Sequence, residues 1–151
     1  MNDMRFEFYI GGTPERIWQA LTSPEDTAKI FAGAALKSAL TVGASFEYIG
    51  PGPDGKPVAH IYGKVLAAES GRVLSHTCKV SDVWGPDRHK YESRVTYTLE
   101  PVPNCIKLIL VHDQWMEGDP AYAGSLTGWP AVLSSIKTLV ETGKPLDIPM
   151  H

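Results

Sequence analysis

Apolar positions recur with two different periods along the chain, and the changes of period mark out its elements. In the opening "MNDMRFEFYI", Met4, Phe6, Phe8 and Ile10 alternate with Arg5 and Glu7, the period of a half-buried strand. "GGTPERIWQALTSPEDTAKIF" then moves to a helical period, with Ile17, Trp18 and Leu21 on one face. Thr13 is placed to cap that helix, with Pro14 at its first position, where a missing N–H costs nothing. Ser23 and Pro24 repeat the start signal, and Glu25 and Asp26 suit the positive end of a second short helix.

From Leu40 to Asp113 the pattern is strand after strand. "SFEYIG" and "AHIYGKVLAA" flank "PGPDGKP", a stretch made almost wholly of turn residues, and so predict a hairpin. "RVLSHTCKV" and "ESRVTYTLE" flank a longer and more mobile connection, "SDVWGPDRHKY", and "LEPVPNCIKLILVHD" adds another turn and the last strand. Sequential strands joined in this way imply an antiparallel sheet with one wet face and one covered face. The cover is the segment "GWPAVLSSIKTLVETG". At 100° per residue, Trp129, Val132, Leu133, Ile136, Leu139 and Val140 share one face, and Ser134, Lys137, Thr138 and Glu141 lie opposite. Thr127 is the expected cap and Gly143 the expected stop. The order is strand, two short helices, about six strands, one long helix, which is an α+β arrangement.

Four stretches in this order resemble the homologues of the C-terminal domain of the heat-shock protein 90 ATPase activator, within the START-like (SRPBCC) superfamily. "TPERIWQALTSPEDTAKIF" is similar to the family's first two helices, and "GKVLAAESGRVLSHTC" to its strand-turn-strand. "VTYTLEPVPNCIKLILVHDQW" is similar to its final hairpin, and "GW…L..IK.LVE" to its closing helix. The resemblance covers nearly the whole chain and implies a helix-grip fold: a curved antiparallel sheet of six to seven strands around a long C-terminal helix, as one domain over residues 1–151. The chain departs from the family at Ser75, His76, Thr77 and Cys78, where an aromatic often follows the strand's Leu, and at "KIFAGAAL", where a Trp-rich stretch is common. No particular family ligand is therefore carried over.

Charged residues point outward and so assign the covered face. Lys107 outside puts Ile106, Leu108, Leu110 and His112 inside, and Lys79 outside puts Leu74, His76, Cys78 and Val80 inside. Arg94 and Glu100 place Val95, Tyr97 and Leu99 inside, and Glu47 does the same for Phe46 and Tyr48. The result is an apolar interior with four polar tips, His76, His112, Tyr48 and Tyr97, the character of a small-molecule site. Each tip is also open to being satisfied by neighbouring backbone groups or buried water, and Tyr48 and Tyr97 to being packing residues. Asp113, the only carboxylate adjacent to a histidine, should face away from His112. The expected ligand-facing set is Phe31, Phe46, Tyr48, His76, Tyr97, His112, Trp115, Trp129 and Leu133.

Composition narrows the partners. Over 151 residues the chain is 43% hydrophobic and 21% charged with a net charge of −3, which gives no clustered basic footprint for nucleic acid. No apolar run approaches the roughly 20 residues of a membrane span, and the N-terminus lacks a secretory signal pattern. Cys78 and Cys105 have no CxxC spacing and read as buried thiols in a reducing, cytoplasmic setting. The scattered His60, His76, His89 and His112 offer no metal motif, and neither a metal nor another cofactor is expected. Two loops carry large apolar groups, Trp84 and Tyr91 in one and Trp115, Met116 and Tyr122 in the other. They rim a chamber mouth, bury in a homodimer, or cover the helix end.

Three functions follow as expectations. The leading one is a cytoplasmic protein that encloses a small hydrophobic or aromatic molecule between sheet and last helix. The resemblance also implies a co-chaperone-like module binding a chaperone partner. The third, implied by the resemblance to a superfamily that includes polyketide cyclases and aromatases, is an enzyme using His76 or His112, although the residues themselves form no catalytic constellation.

Overall fold

The computed structural model describes residues 1–148. Strands form at Met4–Ile10 (β1), Ala35–Ser38 (β2), Ser45–Pro51 (β3), Pro57–Glu69 (β4), Val73–Val80 (β5), Ser93–Val102 (β6) and Cys105–Asp113 (β7). They pair antiparallel in the order β1-β7-β6-β5-β4-β3-β2. Helices span Pro14–Thr22 (α1), Pro24–Ile30 (α2) and Tyr122–Thr142 (α3). This is the helix-grip arrangement anticipated from the sequence, with β2 as the strand its pattern did not reveal.

The caps of the short helices act as their residue types dictate. Thr13 Oγ1 accepts the Arg16 N–H and Ser23 Oγ accepts the Asp26 N–H, each with proline at the first helical position. Thr27 then ties α2 to the sheet edge: its hydroxyl donates to the Ser23 carbonyl and accepts the Leu36 N–H at 2.8 Å.

The long helix departs from expectation at its start. It begins at Tyr122 rather than after Thr127, and Thr127 is an exposed residue inside it. Pro130 therefore sits in the helix interior and offers no N–H to the Leu126 carbonyl one turn back. The C-terminal end is as read, with Gly143 in the left-handed conformation at φ 84° and its N–H on the Leu139 carbonyl. Its apolar stripe Val132, Leu133, Ile136 and Leu139 is buried in one cluster with Leu74, Tyr97, Leu99, Leu108 and Leu110 of the sheet. At its far end Lys137 donates to the Tyr9 carbonyl and Glu141 accepts the Gly11 N–H, fastening the helix to the end of β1.

Two irregularities in β4 shape the sheet. The register against β3 slips between Tyr48 and Ile49, and that against β5 slips between Val65 and Ala67. Between them Gly63 meets β5 so closely that a Cβ there would lie 1.9 Å from the Thr77 carbonyl oxygen. Only glycine fits that approach. The same Thr77 carbonyl holds a histidine of the site.

Candidate functional site

Strands β5, β6 and β7 run in unbroken mutual register through the middle of the sheet, so their alternation is preserved. Leu74, His76 and Cys78 of β5, Val95, Tyr97 and Leu99 of β6, and Ile106, Leu108, Leu110 and His112 of β7 are all buried. Where these strands leave the helix stripe, the interior is incompletely filled. A cavity of about 80 Å³ remains between the sheet and the first half of α3, with a predominantly apolar wall. It is much smaller than the roughly 300–1,000 Å³ of sites for drug-sized molecules, and smaller than the roughly 150 Å³ that accommodates benzene.

Seven of the nine expected residues border this cavity: Phe31, Tyr48, His76, Tyr97, His112, Trp115 and Trp129. Phe46 and Leu133 are fully buried and stand outside the lining, Phe46 behind His76 and Leu133 in the helix–sheet core. Period-two and helical patterns identify the covered face; they do not tell core from cavity wall.

His112 is held on every side. Trp129 Nε1–H donates to its Nδ1 at 2.9 Å, which requires that nitrogen to be unprotonated. The proton of the neutral ring therefore sits on Nε2, 2.7 Å from Ser93 Oγ, and Ser93 in turn directs its hydroxyl toward the Cys78 carbonyl. Trp115 stacks on the imidazole at 3.9 Å and donates its indole N–H to the His112 carbonyl. Burial, with His76 nearby, lowers the His112 pKa to about 3. Asp113 faces away, as expected, and forms a two-point pair with Arg94 at 2.6 and 2.9 Å.

His76 is held differently. Its ring lies flat against Phe46, 3.8 Å between centroids, and its Nδ1 is 2.8 Å from the Thr77 carbonyl oxygen. Burial brings its pKa to about 4, only partly opposed by that backbone bond. Its Nε2 is the buried side-chain polar atom left without a partner among the described residues.

Tyr48 and Tyr97 are both buried, and desolvation raises both phenol pKa values well above the ordinary range. Their hydroxyls lie near enough for each to alter the other's ionisation. Tyr97 meets Trp129 edge to face at 6.1 Å, and Phe31 packs against Tyr48 at 4.5 Å. Cys78 is buried, and desolvation pushes its thiol up to about 12, so it is a wall group rather than a nucleophile. Cys105 corrects the sequence reading: it is half-buried, at the start of β7.

Loop residues complete the mouth. Arg88 and Asp119 border the cavity without having been anticipated, and Tyr91, one of the loop aromatics expected to rim a mouth, joins them. Asp119 is buried beside the start of α3, where its Oδ1 accepts the Ala121 N–H at 2.9 Å. The loop carrying Arg88 is tied down by Asp82, which accepts the His89 backbone N–H at 3.0 Å and pairs with its Nδ1 at 2.8 Å. Trp115 and Tyr91 are half-buried in the cavity lining and Tyr122 packs edge to face on Trp115, whereas Trp84 and Met116 are exposed. No group of three or more potential metal-binding side chains occurs among the described residues, and no helix there is long and apolar enough to cross a membrane.

A family model described as Activator of Hsp90 ATPase homolog 1-like protein matches residues 12–141. Among solved structures, a protein of Mesorhizobium loti is 26% identical, with a TM-score of 0.73 over 93% of this chain and 97% of its own. The Aha1 dimer from Colwellia psychrerythraea is 23% identical, with a TM-score of 0.70 over 95% of this chain and 99% of its own. A Chromobacterium violaceum protein is 23% identical, with a TM-score of 0.72 over 93% of this chain and 97% of its own. No curated protein matches the chain.

Proposed function

The chain belongs to the family of Activator of Hsp90 ATPase homolog 1-like proteins, and from that premise we propose that it is a binding protein enclosing one small aromatic or apolar molecule between β5–β7 and the first half of α3. The carrying observation is the cavity itself. Its wall is apolar and rich in aromatic rings, and it is placed where the helix and sheet part company. Its size favours a single ring over a lipid chain. A ring-sized occupant needs somewhat more than the existing 80 Å³, and the half-buried Tyr91 and Trp115 at the mouth are the groups positioned to give way.

A catalytic reading draws less support from the same geometry. His112 spends both ring nitrogens on Trp129 and Ser93, so proton transfer through it must first break one of those bonds. His76 keeps a free lone pair but is a weak base, with its pKa near 4.

Thermal unfolding in the presence of single-ring aromatics, fatty acids and larger polycyclic compounds tests the proposal. A molecule that binds only the folded state adds about 2.7 kcal/mol of stability at one hundred times its Kd. The expected result is stabilisation by single-ring compounds and little from long-chain lipids. A flat response to the whole panel would remove the proposal.

A further inference from the structure

The unpartnered Nε2 of His76 says what the occupant must carry. The Thr77 carbonyl is an acceptor only, so the proton of the neutral imidazole is on Nδ1 and Nε2 presents a bare lone pair. The ring cannot exchange the two nitrogens cheaply: turning it over breaks the bond to Thr77, and Phe46 fixes its plane. His76 is only 2% exposed and borders the cavity.

Three polar groups of the wall are linked to one another and not to His76. Trp129 gives its N–H to His112, His112 gives its Nε2 proton to Ser93, and Ser93 directs its own toward the Cys78 carbonyl. Tyr48 and Tyr97 are buried beside one another, each perturbing the other's ionisation. No protein group donates to Nε2, which leaves that place open to a donor carried by whatever fills the space. A carboxylate cannot supply one, since it offers only acceptors when ionised.

We propose that this site selects single-ring aromatic molecules bearing a neutral hydroxyl, whose O–H donates to His76 Nε2 while the ring lies among Phe31, Tyr97 and Trp129. This inference rests on the enclosure proposed above and adds the recognition chemistry. Meeting a buried acceptor that is otherwise unmet is worth roughly tenfold in affinity.

The test compares phenol with anisole and toluene, which match it in ring but have no O–H. Binding to the full chain is followed by titration calorimetry and by the ¹⁵N resonances of labelled histidine. Phenol should bind roughly tenfold more tightly than the other two, and only phenol should move the His76 Nε2 signal in the direction of an accepted hydrogen bond. His76→Phe retains a ring to stack on Phe46 and removes the acceptor, so phenol should lose its advantage and bind no more tightly than anisole and toluene, since its O–H is then buried without a partner. Equal binding of phenol and anisole to the unmodified protein would overturn the donor rule while leaving the enclosure standing, and so would phenol binding that leaves Nε2 unmoved. A preference for phenol that survives in His76→Phe would overturn it as well. Failure of all three compounds to bind would instead remove the enclosure and the inference together. If His76→Phe does not fold, the comparison of phenol with anisole and the Nε2 signal still decide the matter.

Discussion

Mild acid should destabilise this protein well before its carboxylates protonate. His76 and His112 are 2% and 3% exposed, and burial is the leading cause that holds their pKa values to about 4 and about 3. In the unfolded chain both return to about 6.5. The unfolded state therefore binds these two protons first as pH falls. Stability from the neutral rings is complete above about pH 6.5 and drains away as the pH descends toward the folded values. Each histidine contributes a slope approaching 1.4 kcal/mol per pH unit, or about 2 kcal/mol between pH 7 and pH 5. Together they should remove on the order of 4 kcal/mol, a large share of the 5–15 kcal/mol of an ordinary domain. The interval stops above the range in which Glu7, Asp82, Asp113 and Glu141, all held below their ordinary pKa by ion pairs or hydrogen bonds, begin to matter. Urea unfolding at pH 7, 6 and 5 and constant ionic strength, read by tryptophan fluorescence, measures the loss. His76→Phe should halve it. A change below about 1 kcal/mol, or an unaltered slope in the variant, would refute the reasoning that both rings are buried and neutral.

Three further outcomes follow from single contacts. Gly63→Ala drives a Cβ into the Thr77 carbonyl oxygen and should cost about 3 kcal/mol, with a clear drop in Tm; a Tm within about two degrees of the unmodified protein would show that β4 and β5 part freely there. Trp129→Phe keeps the ring but leaves His112 Nδ1 without its donor, which should cost about 1–2 kcal/mol in urea unfolding; no loss would mean that the nitrogen finds another partner. Alkylation of the folded protein near pH 8 should give a single adduct at Cys105, because Cys78 is buried with its thiol at about 12; an adduct on Cys78 by mass spectrometry would contradict its place in the wall.

Legibility from sequence tracked regularity of structure. The faces of β5, β6 and β7 could be assigned from Lys79, Arg94, Glu100 and Lys107 because no bulge interrupts their shared ladders. The register shifts fall in β4 instead, where no inward-facing residue had been named. Gly143 ended α3 as its backbone freedom suggests, but the start of the helix was hidden. Residues 122–128 are mostly small and polar, with Tyr122 and Leu126 too few to make a stripe, and Pro130 suits an early helix position better than the interior, which pointed to a later start. β2 has only four residues, too short for alternation to register. Arg88 and Asp119 left no trace in the pattern because local bonds place them: Asp82 to His89 in one loop, Asp119 to Ala121 in the other.

That division of legibility matches a division of labour in the site. His76 and His112 stand on paired strands and are oriented by fixed neighbours, Phe46 and the Thr77 carbonyl for one and Trp129 and Ser93 for the other. Moving either would disturb ladders that run the length of the sheet. The mouth is assembled from loop residues and the stretch of α3 before Pro130, and Trp115 is held there by a stack on His112, an edge-to-face contact with Tyr122 and one hydrogen bond. Releasing that indole costs roughly 1–3 kcal/mol, far less than opening a strand pair. Volume is thus the adjustable property of the site and polarity the fixed one. In the proposed enclosure, an occupant wins the space for a ring by displacing Trp115, whereas it cannot alter the lone pair that His76 presents.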